Sequence, residues 1–326
     1  MTDSDPAPSP AFAAAFAQRA LGGVLGFADF VDLALFHPEL GYYRRPRRRV
    51  GTGPGTDFFT ATSAGPVFGE LVAAACRELL GPRPAAEFTF VEIGAEPGGG
   101  VLAGVPHPFR AARTVPLGAP LDLAGPTIVF SNELFDAQPF ARWVFRAGRW
   151  RERGVTLAEG RLREVETDGR PPPRLPAAAP EGYAIDAPLG SVALLERLVA
   201  APWSGLFVAF DYGKSWTELT EATPAGTARA YRRHVQSNDL LAFPGDQDLT
   251  CHLCWDWLAE TLAGSGFASP TLESQEAFFV RHAGPALSAL AQAPVLNPKK
   301  RALTQLLHPG QLGQKFQVLH AFRPPA

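Results

Sequence analysis

Phe88–Thr89–Phe90–Val91–Glu92–Ile93–Gly94–Ala95–Glu96–Pro97–Gly98 is the stretch that decides the fold. A short apolar run that meets glycines at once reads as a buried strand with a sharp turn at its C-terminal end. Thr127–Phe130 is a second such run, entered through Gly125–Pro126 and left through Ser131–Asn132–Glu133. Leu206–Phe210 is a third, leading into Asp211–Tyr212–Gly213, and Gln317–Phe322 is a fourth. Continuous apolar character marks strands covered on both faces. The expectation is an α/β fold around a parallel core sheet with helices on both faces and ligand chemistry at the strands' C-terminal edge.

Upstream of these strands, Phe12–Leu25 reads as a helix, and Phe27–Phe36 as another that His37–Pro38 stops. Pro66–Leu80 is a third helix, ended by Gly81–Pro82, so residues 11–85 form an N-terminal helical segment after a disordered tail over 1–10. Arg142–Val155 alternates like a strand on either side of Ala147–Gly148, which predicts a hairpin, and Arg161–Thr167 adds a strand. Gly169–Pro180 reads as a Pro-rich surface linker. The core over 86–326 therefore carries an antiparallel β insertion at about 140–185 and a second insertion at about 214–248. Val192–Ala201 and Leu249–Leu262 read as late helices.

Hydrophobic residues make up 46% of the 326 and charged residues 19%, with a net charge of −2. Nothing global steers such a chain onto nucleic acid or an anionic membrane. Its apolar runs are too short to span a bilayer. The acidic, Pro-rich start lacks the order of a secretory signal, and three cysteines give no disulfide framework, so a cytoplasmic location is expected. There is no G-x-S-x-G elbow, P-loop or Tyr-x-x-x-Lys.

Two places carry candidate chemistry. Glu92–Gly98 follows the first strand, and its glycines let the backbone approach a ligand where a Cβ would obstruct it; a ligand-free turn is the plain alternative. Asn132, Glu133 and Asp136 follow the second strand. An amide oxygen can accept from a target nitrogen, and two carboxylates suit a planar, permanently charged guanidinium. The alternative is a helix N-cap at Asn132 with acidic first-turn residues. Cys251–His252–Leu253–Cys254 has no second ligand pair for a structural zinc and reads as part of a helix. The basic run Arg44–Arg49 reads as a solvated loop.

The chain resembles the MidA-like family of class I S-adenosylmethionine (SAM) methyltransferases. Ala34–Tyr43 is similar to that family's opening, and Asp57–Phe58–Phe59–Thr60 with Phe68–Gly69–Glu70 to its next segment. Asn132–Pro139, Asp211–Gly213, Arg229–His234, Pro244–Thr250 and Gly313–Leu319 follow in the family's order. The resemblance implies a Rossmann-like methyltransferase core with SAM as cofactor. It implies cofactor contacts from Glu92, Gly94, Ala95, Gly98, Asp57 and Thr60, and catalytic roles for Asn132, Glu133 and Asp136. No metal is implied. The family's mitochondrial member methylates arginine on a core subunit of respiratory complex I, so a protein substrate of that kind is expected here. A homodimer is compatible with the reading, whereas nucleic acid and membrane insertion are not expected.

Three departures bear on that reading. Ala61–Thr62–Ser63–Ala64–Gly65 replaces a segment that carries a carboxylate in the family, and Glu96 stands where a glycine is common. Only residues 99–131 lie between Gly98 and Asn132. Helices and strands of ordinary length would need about 50 residues to include the acid that grips the SAM ribose. Part of the cofactor wall is therefore expected to be missing. Two functions follow: a protein-arginine N-methyltransferase, or a non-catalytic assembly protein that kept the fold and a peptide groove. Small-molecule or nucleobase N-methylation is a third. Trp143, Phe145 and Trp150 among Arg142, Arg146, Arg149, Arg151 and Arg153 mark the insertion either as that groove or as a cover for the sheet.

Overall fold

The computed structural model describes residues 7–45, 49, 51, 56–57, 61, 65–95, 99–172, 174–292, 294 and 297–325. Its contacts divide the chain into two units, one of residues 1–58, 135–193 and 214–254, the other of residues 59–134, 194–213 and 255–326. The N-terminal segment thus groups with both insertions, and Pro66–Leu79 with the core.

In the first unit, Ser9 caps α1 (Pro10–Arg19), its Oγ accepting the Phe12 N–H at 3.2 Å. The expected tail over 1–10 is therefore ordered at its end, and residues 1–6 lie outside the described residues. The helix is also shorter than Phe12–Leu25. Leu21–Gly23 forms a tight turn, and Val24–Gly26 (β1) is a strand paired with Gly154–Thr156. In α2 (Phe27–Phe36), Phe27, Phe30, Val31, Ala34 and Leu35 are buried, as their helical spacing predicts.

The antiparallel insertion is present. Its strands β5 (Ala141–Arg146), β6 (Arg149–Ala158), β7 (Arg161–Thr167) and β8 (Ala184–Ala187) join β1 in the order β1-β6-β5-β8, with β7 also on β6. Ala147–Gly148 and Glu159–Gly160 make its hairpin turns with φ of 48°, 76°, 52° and 74°, the left-handed pairs that match strand twist. Trp143, Val144, Phe145 and Trp150 are all buried. The expected surface linker is also tied down, because the Trp150 indole donates to the Pro176 carbonyl at 2.7 Å. Arg49 departs further from expectation: it is 2% exposed, and its guanidinium donates to the carbonyls of Tyr42 and Arg45. Beyond the insertion lie α5 (Trp216–Glu221) and a small sheet ordered β12-β11-β13 from β11 (Arg229–Arg232), β12 (Val235–Ser237) and β13 (Asp248–Thr250).

In the second unit, β2 (Thr89–Ile93), β3 (Ala111–Val115), β4 (Gly125–Asn132), β9 (Trp203–Asp211), β15 (Ala268–Ser274) and β16 (Gln317–Arg323) form one sheet, ordered β15-β16-β9-β4-β2-β3. The four strands β3, β2, β4 and β9 are parallel, while β16 runs antiparallel to β9 and β15 antiparallel to β16. One face is covered by α3 (Pro66–Leu79), α7 (Gln275–His282), α8 (Gly284–Ala291) and α9 (Pro298–Leu307), whose apolar residues cluster with Phe90, Phe130, Phe210 and Val318. The alternate strand residues Val91, Val129, Phe207 and Leu319 are buried too, and α6 (Trp255–Gly264) packs against β15 and β16. The chain passes into and out of this unit through α4 (Leu189–Ala200) and the short strand β10 (Gly213–Lys214). The expected Leu249–Leu262 helix begins only at Trp255, because Asp248–Thr250 and Leu253–Cys254 (β14) are extended.

The compressed interval has a direct structural counterpart. Residues 99–110 and 116–124 hold turns and bends but no helix, and β3 is the single strand between β2 and β4.

Candidate functional site

From β2 the chain moves outward to β3, then returns to β4 on the other side of β2. That reversal opens a crevice at the carboxyl ends of β2 and β4, the place where open α/β sheets bind ligands. Register brings Glu92 opposite Phe130, and Asn132 opposite Phe210 of β9. The turn after β2 stands on Gly94, whose φ is +79° and whose N–H donates to the Val115 carbonyl at 2.9 Å. A Cβ there would lie 2.6 Å from Leu134 Cδ1, an end that can swing aside, so it is the left-handed backbone conformation that calls for glycine. Ala95 follows, half-buried, while Gly98 and Thr60 lie outside the described residues.

Glu92 is 6% exposed, and its Oε2 accepts the Val101 N–H at 2.6 Å. The segment after the turn therefore folds back onto this carboxylate. Burial pushes the Glu92 carboxyl up to about 7, against the lowering effect of the Val101 hydrogen bond.

Asn132 ends β4. Its Nδ2 donates to Glu133 Oε1 at 3.0 Å, whereas its Oδ1 is buried with no hydrogen-bond partner among the described residues. The hydroxyl of Ser131, buried beside it, is in the same condition. No helix follows: residues 133–140 are irregular, which removes the N-cap reading of Asn132. Glu133 has φ of +50°, and its N–H donates to the Phe210 carbonyl at 2.9 Å. A non-glycine residue held in that region stores backbone strain, a recurrent property of functional turns.

The remaining sequence candidates belong to the other unit. Asp57 is buried, with Oδ2 accepting from the Tyr42 hydroxyl and Oδ1 from the Arg233 N–H, both at 2.8 Å. Two protein donors on its two oxygens make it a clamp between Tyr42 and the turn at Arg233. Asp136 is buried, and its carbonyl accepts the Cys251 N–H at 3.0 Å. Asp248 is the functional-type residue that the sequence reading missed. Its Oδ1 accepts from the Tyr43 hydroxyl at 3.0 Å, and burial, then the Asp136 charge, push its carboxyl up to about 8. Its place in the Pro244–Thr250 motif was the available signal.

The crevice suits SAM at one end. The glycine turn allows close approach to a methionyl group, and Glu92, Ser131 Oγ and Asn132 Oδ1 offer acceptors and negative charge to an ammonium or sulfonium. The ribose end does not fit as well. β3 runs into Val115–Pro116–Leu117, and Asp122, the one acid among residues 99–132, is exposed.

Comparison with known proteins agrees with this architecture. Residues 112–271 match the model of a family of S-adenosyl-L-methionine-dependent methyltransferases. A COG1565 superfamily structure from Burkholderia thailandensis, bound to S-adenosyl-homocysteine, superposes with a TM-score of 0.83 at 24% identity, covering 98% of this chain and 95% of that one. A native COG1565 superfamily structure from the same organism gives 0.79 at 22% identity, with the same two coverages. No curated protein matches the chain. Motifs in order, a Rossmann-like sheet and the family match over residues 112–271 agree on one architecture, that of the S-adenosyl-L-methionine-dependent methyltransferases.

Proposed function

We propose that the protein is a SAM-dependent N-methyltransferase acting on a protein arginine, with a cofactor site reduced at its ribose end. The observation that carries the proposal is Asn132: a buried amide oxygen lacking a donor among the described residues, at the carboxyl end of β4 and adjoining Glu133. An orphaned buried acceptor costs about 1–3 kcal/mol and is met in native proteins by a ligand, an ion or an ordered water; at the end of a strand beside Glu133, a ligand N–H is the partner we infer. SAM, when bound, supplies an electrophilic methyl group on a sulfonium. Gly94 and Ala95 would line its methionyl part, with Glu92 contributing negative charge. Asn132 Oδ1 accepts from an N–H of the guanidinium and so aims the attacking nitrogen. Glu133 pairs with the guanidinium and takes the proton that the nitrogen must lose on methylation. Positioning of the nitrogen supplies most of the acceleration.

A second reading, a non-catalytic assembly protein that keeps a peptide groove, is favoured by the absence of any helix in residues 99–124. The deciding experiment is calorimetric titration of SAM into the purified full chain, followed by mass spectrometry of arginine-containing acceptor proteins incubated with both. Saturable binding with a mass increase of one or more methyl groups on arginine supports the enzyme. No SAM binding at millimolar ligand sinks it, and binding with methylation only of a small molecule replaces the substrate.

A further inference from the structure

A second cluster of chemistry-bearing side chains lies at the other end of the sheet. Glu273 on β15, His282 at the end of α7 and His320 on β16 converge, although they come from three separate elements. Register sets Thr271 opposite His320 and Glu273 opposite Val318, so the two strand residues are diagonal neighbours. The helix α7 packs back along β15 and β16 and delivers His282 to the same point. Glu273 Oε2 lies 2.8 Å from His282 Nε2 and 3.0 Å from His320 Nε2, and one ligand atom from each residue falls within 4.8 Å of the others.

We propose that this trio is a Zn²⁺ site that ties the antiparallel edge of the sheet to α7. Two imidazoles and one carboxylate form an established zinc ligand set, which leaves one coordination position for water. Zinc bonds of about 2.0–2.2 Å at tetrahedral angles separate donor atoms by about 3.3 Å. The two distances from Glu273 Oε2 to the imidazole nitrogens, 2.8 and 3.0 Å, reach that spacing by opening a few tenths of an ångström. Imidazole nitrogens also select zinc over magnesium or calcium.

The surroundings favour ligation. The three side chains are 3%, 14% and 11% exposed, and Phe278 lies against both imidazole rings. The Arg281 guanidinium occupies Glu273 Oε1, which fixes the carboxylate and presents Oε2 to the two rings. Among the described residues this is the group of three such donors brought within ligand distance, and it does not include Cys251, His252 or Cys254.

The test uses the full chain, freed of any affinity tag and stripped with a chelator. ZnCl₂, with MgCl₂ as control, is titrated in by calorimetry, and thermal unfolding is followed with and without zinc. One equivalent of zinc is expected, with a rise in Tm by mass action. His282→Gln should weaken binding by about tenfold or more, while Cys251→Ser with Cys254→Ser should leave it unchanged. Cobalt(II) loading of the wild type gives a second readout that needs no variant. A visible ligand-field band without thiolate charge transfer supports the site. No saturable zinc binding, wild-type affinity in folded His282→Gln, or a thiolate band would each overturn it.

Discussion

Glu92 Oε2 and the Val101 N–H are joined by a 2.6 Å hydrogen bond, and this bond takes the place of the helix that would ordinarily follow the glycine turn. A carboxylate at the end of the first parallel strand is thereby enclosed by the chain's own backbone. Its raised pKa has a defined consequence for stability. The unfolded carboxyl titrates near 4.5 and the folded one at about 7. Between those values the folded state binds the extra proton, so stability is highest at low pH and falls as pH rises through 7, by about 3 kcal/mol at most. Glu92→Gln keeps an acceptor for Val101 without the charge. Urea unfolding at about pH 5 and pH 8 should show the wild type losing this increment relative to the variant; parallel curves for the two proteins would contradict it.

Asp186 anchors the first unit. Its Oδ2 accepts the N–H groups of Thr227 and Ala228 at 2.6 and 2.7 Å, and its Oδ1 meets Arg142 Nε at 2.9 Å. Removing the carboxylate leaves two amide donors without their acceptor and takes one of its two carboxylate partners from the half-buried Arg142, which keeps Glu164 at 3.2 Å. Asp186→Ala is expected to cost about 3–5 kcal/mol, measured by chemical denaturation. A cost below about 1 kcal/mol would show that solvent reaches this network and replaces it.

The parallel strands were legible because each is a run of apolar residues covered on both faces, as in Ile128–Val129–Phe130 and Phe207–Val208–Ala209. The first hairpin turn was legible because Ala147–Gly148 carries the required glycine. By contrast β3 was not, since Ala111–Thr114 is exposed and its pattern encodes no buried face. Arg49 was read as solvated with the rest of the basic run Arg44–Arg49; two carbonyls and the rings of Tyr42 and Tyr43, 5.3 and 5.4 Å away, bury it instead. At the candidate site the glycine turn and Asn132 were readable from position after a strand. The Asp248 environment was not, because Tyr43 and Asp136 meet it only through the fold.

Asp248 gives a second pH test with an internal control. Its carboxyl moves from an ordinary 3.8 to about 8, mainly through burial and then through Asp136, while the Tyr43 hydrogen bond pulls it back down. Stability should therefore fall as pH rises from about 4 through about 8, and Asp248→Asn should remove that fall. Tyr43→Phe deletes the lowering hydrogen bond and should extend the fall to higher pH. Thermal unfolding across this range, compared for the three proteins, reads both effects; a wild-type profile indistinguishable from Asp248→Asn sinks the assignment.

Asn132→Ala separates a functional acceptor from a structural one. The substitution removes a buried oxygen that lacks a partner among the described residues, which relieves a desolvation cost, and it removes the Nδ2 bond to Glu133. These effects oppose each other and are each about 1 kcal/mol, so the melting transition should hardly move. Function should respond differently. Without Oδ1 the attacking nitrogen is no longer aimed, and loss of such positioning costs about 10²-fold in rate. The comparison is the single-turnover methylation rate of wild type and variant at saturating SAM, with cofactor affinity measured separately. A variant that melts several kcal/mol earlier but retains its turnover would make Asn132 a structural residue, and the proposed acceptor site would then have to be sought elsewhere in the crevice.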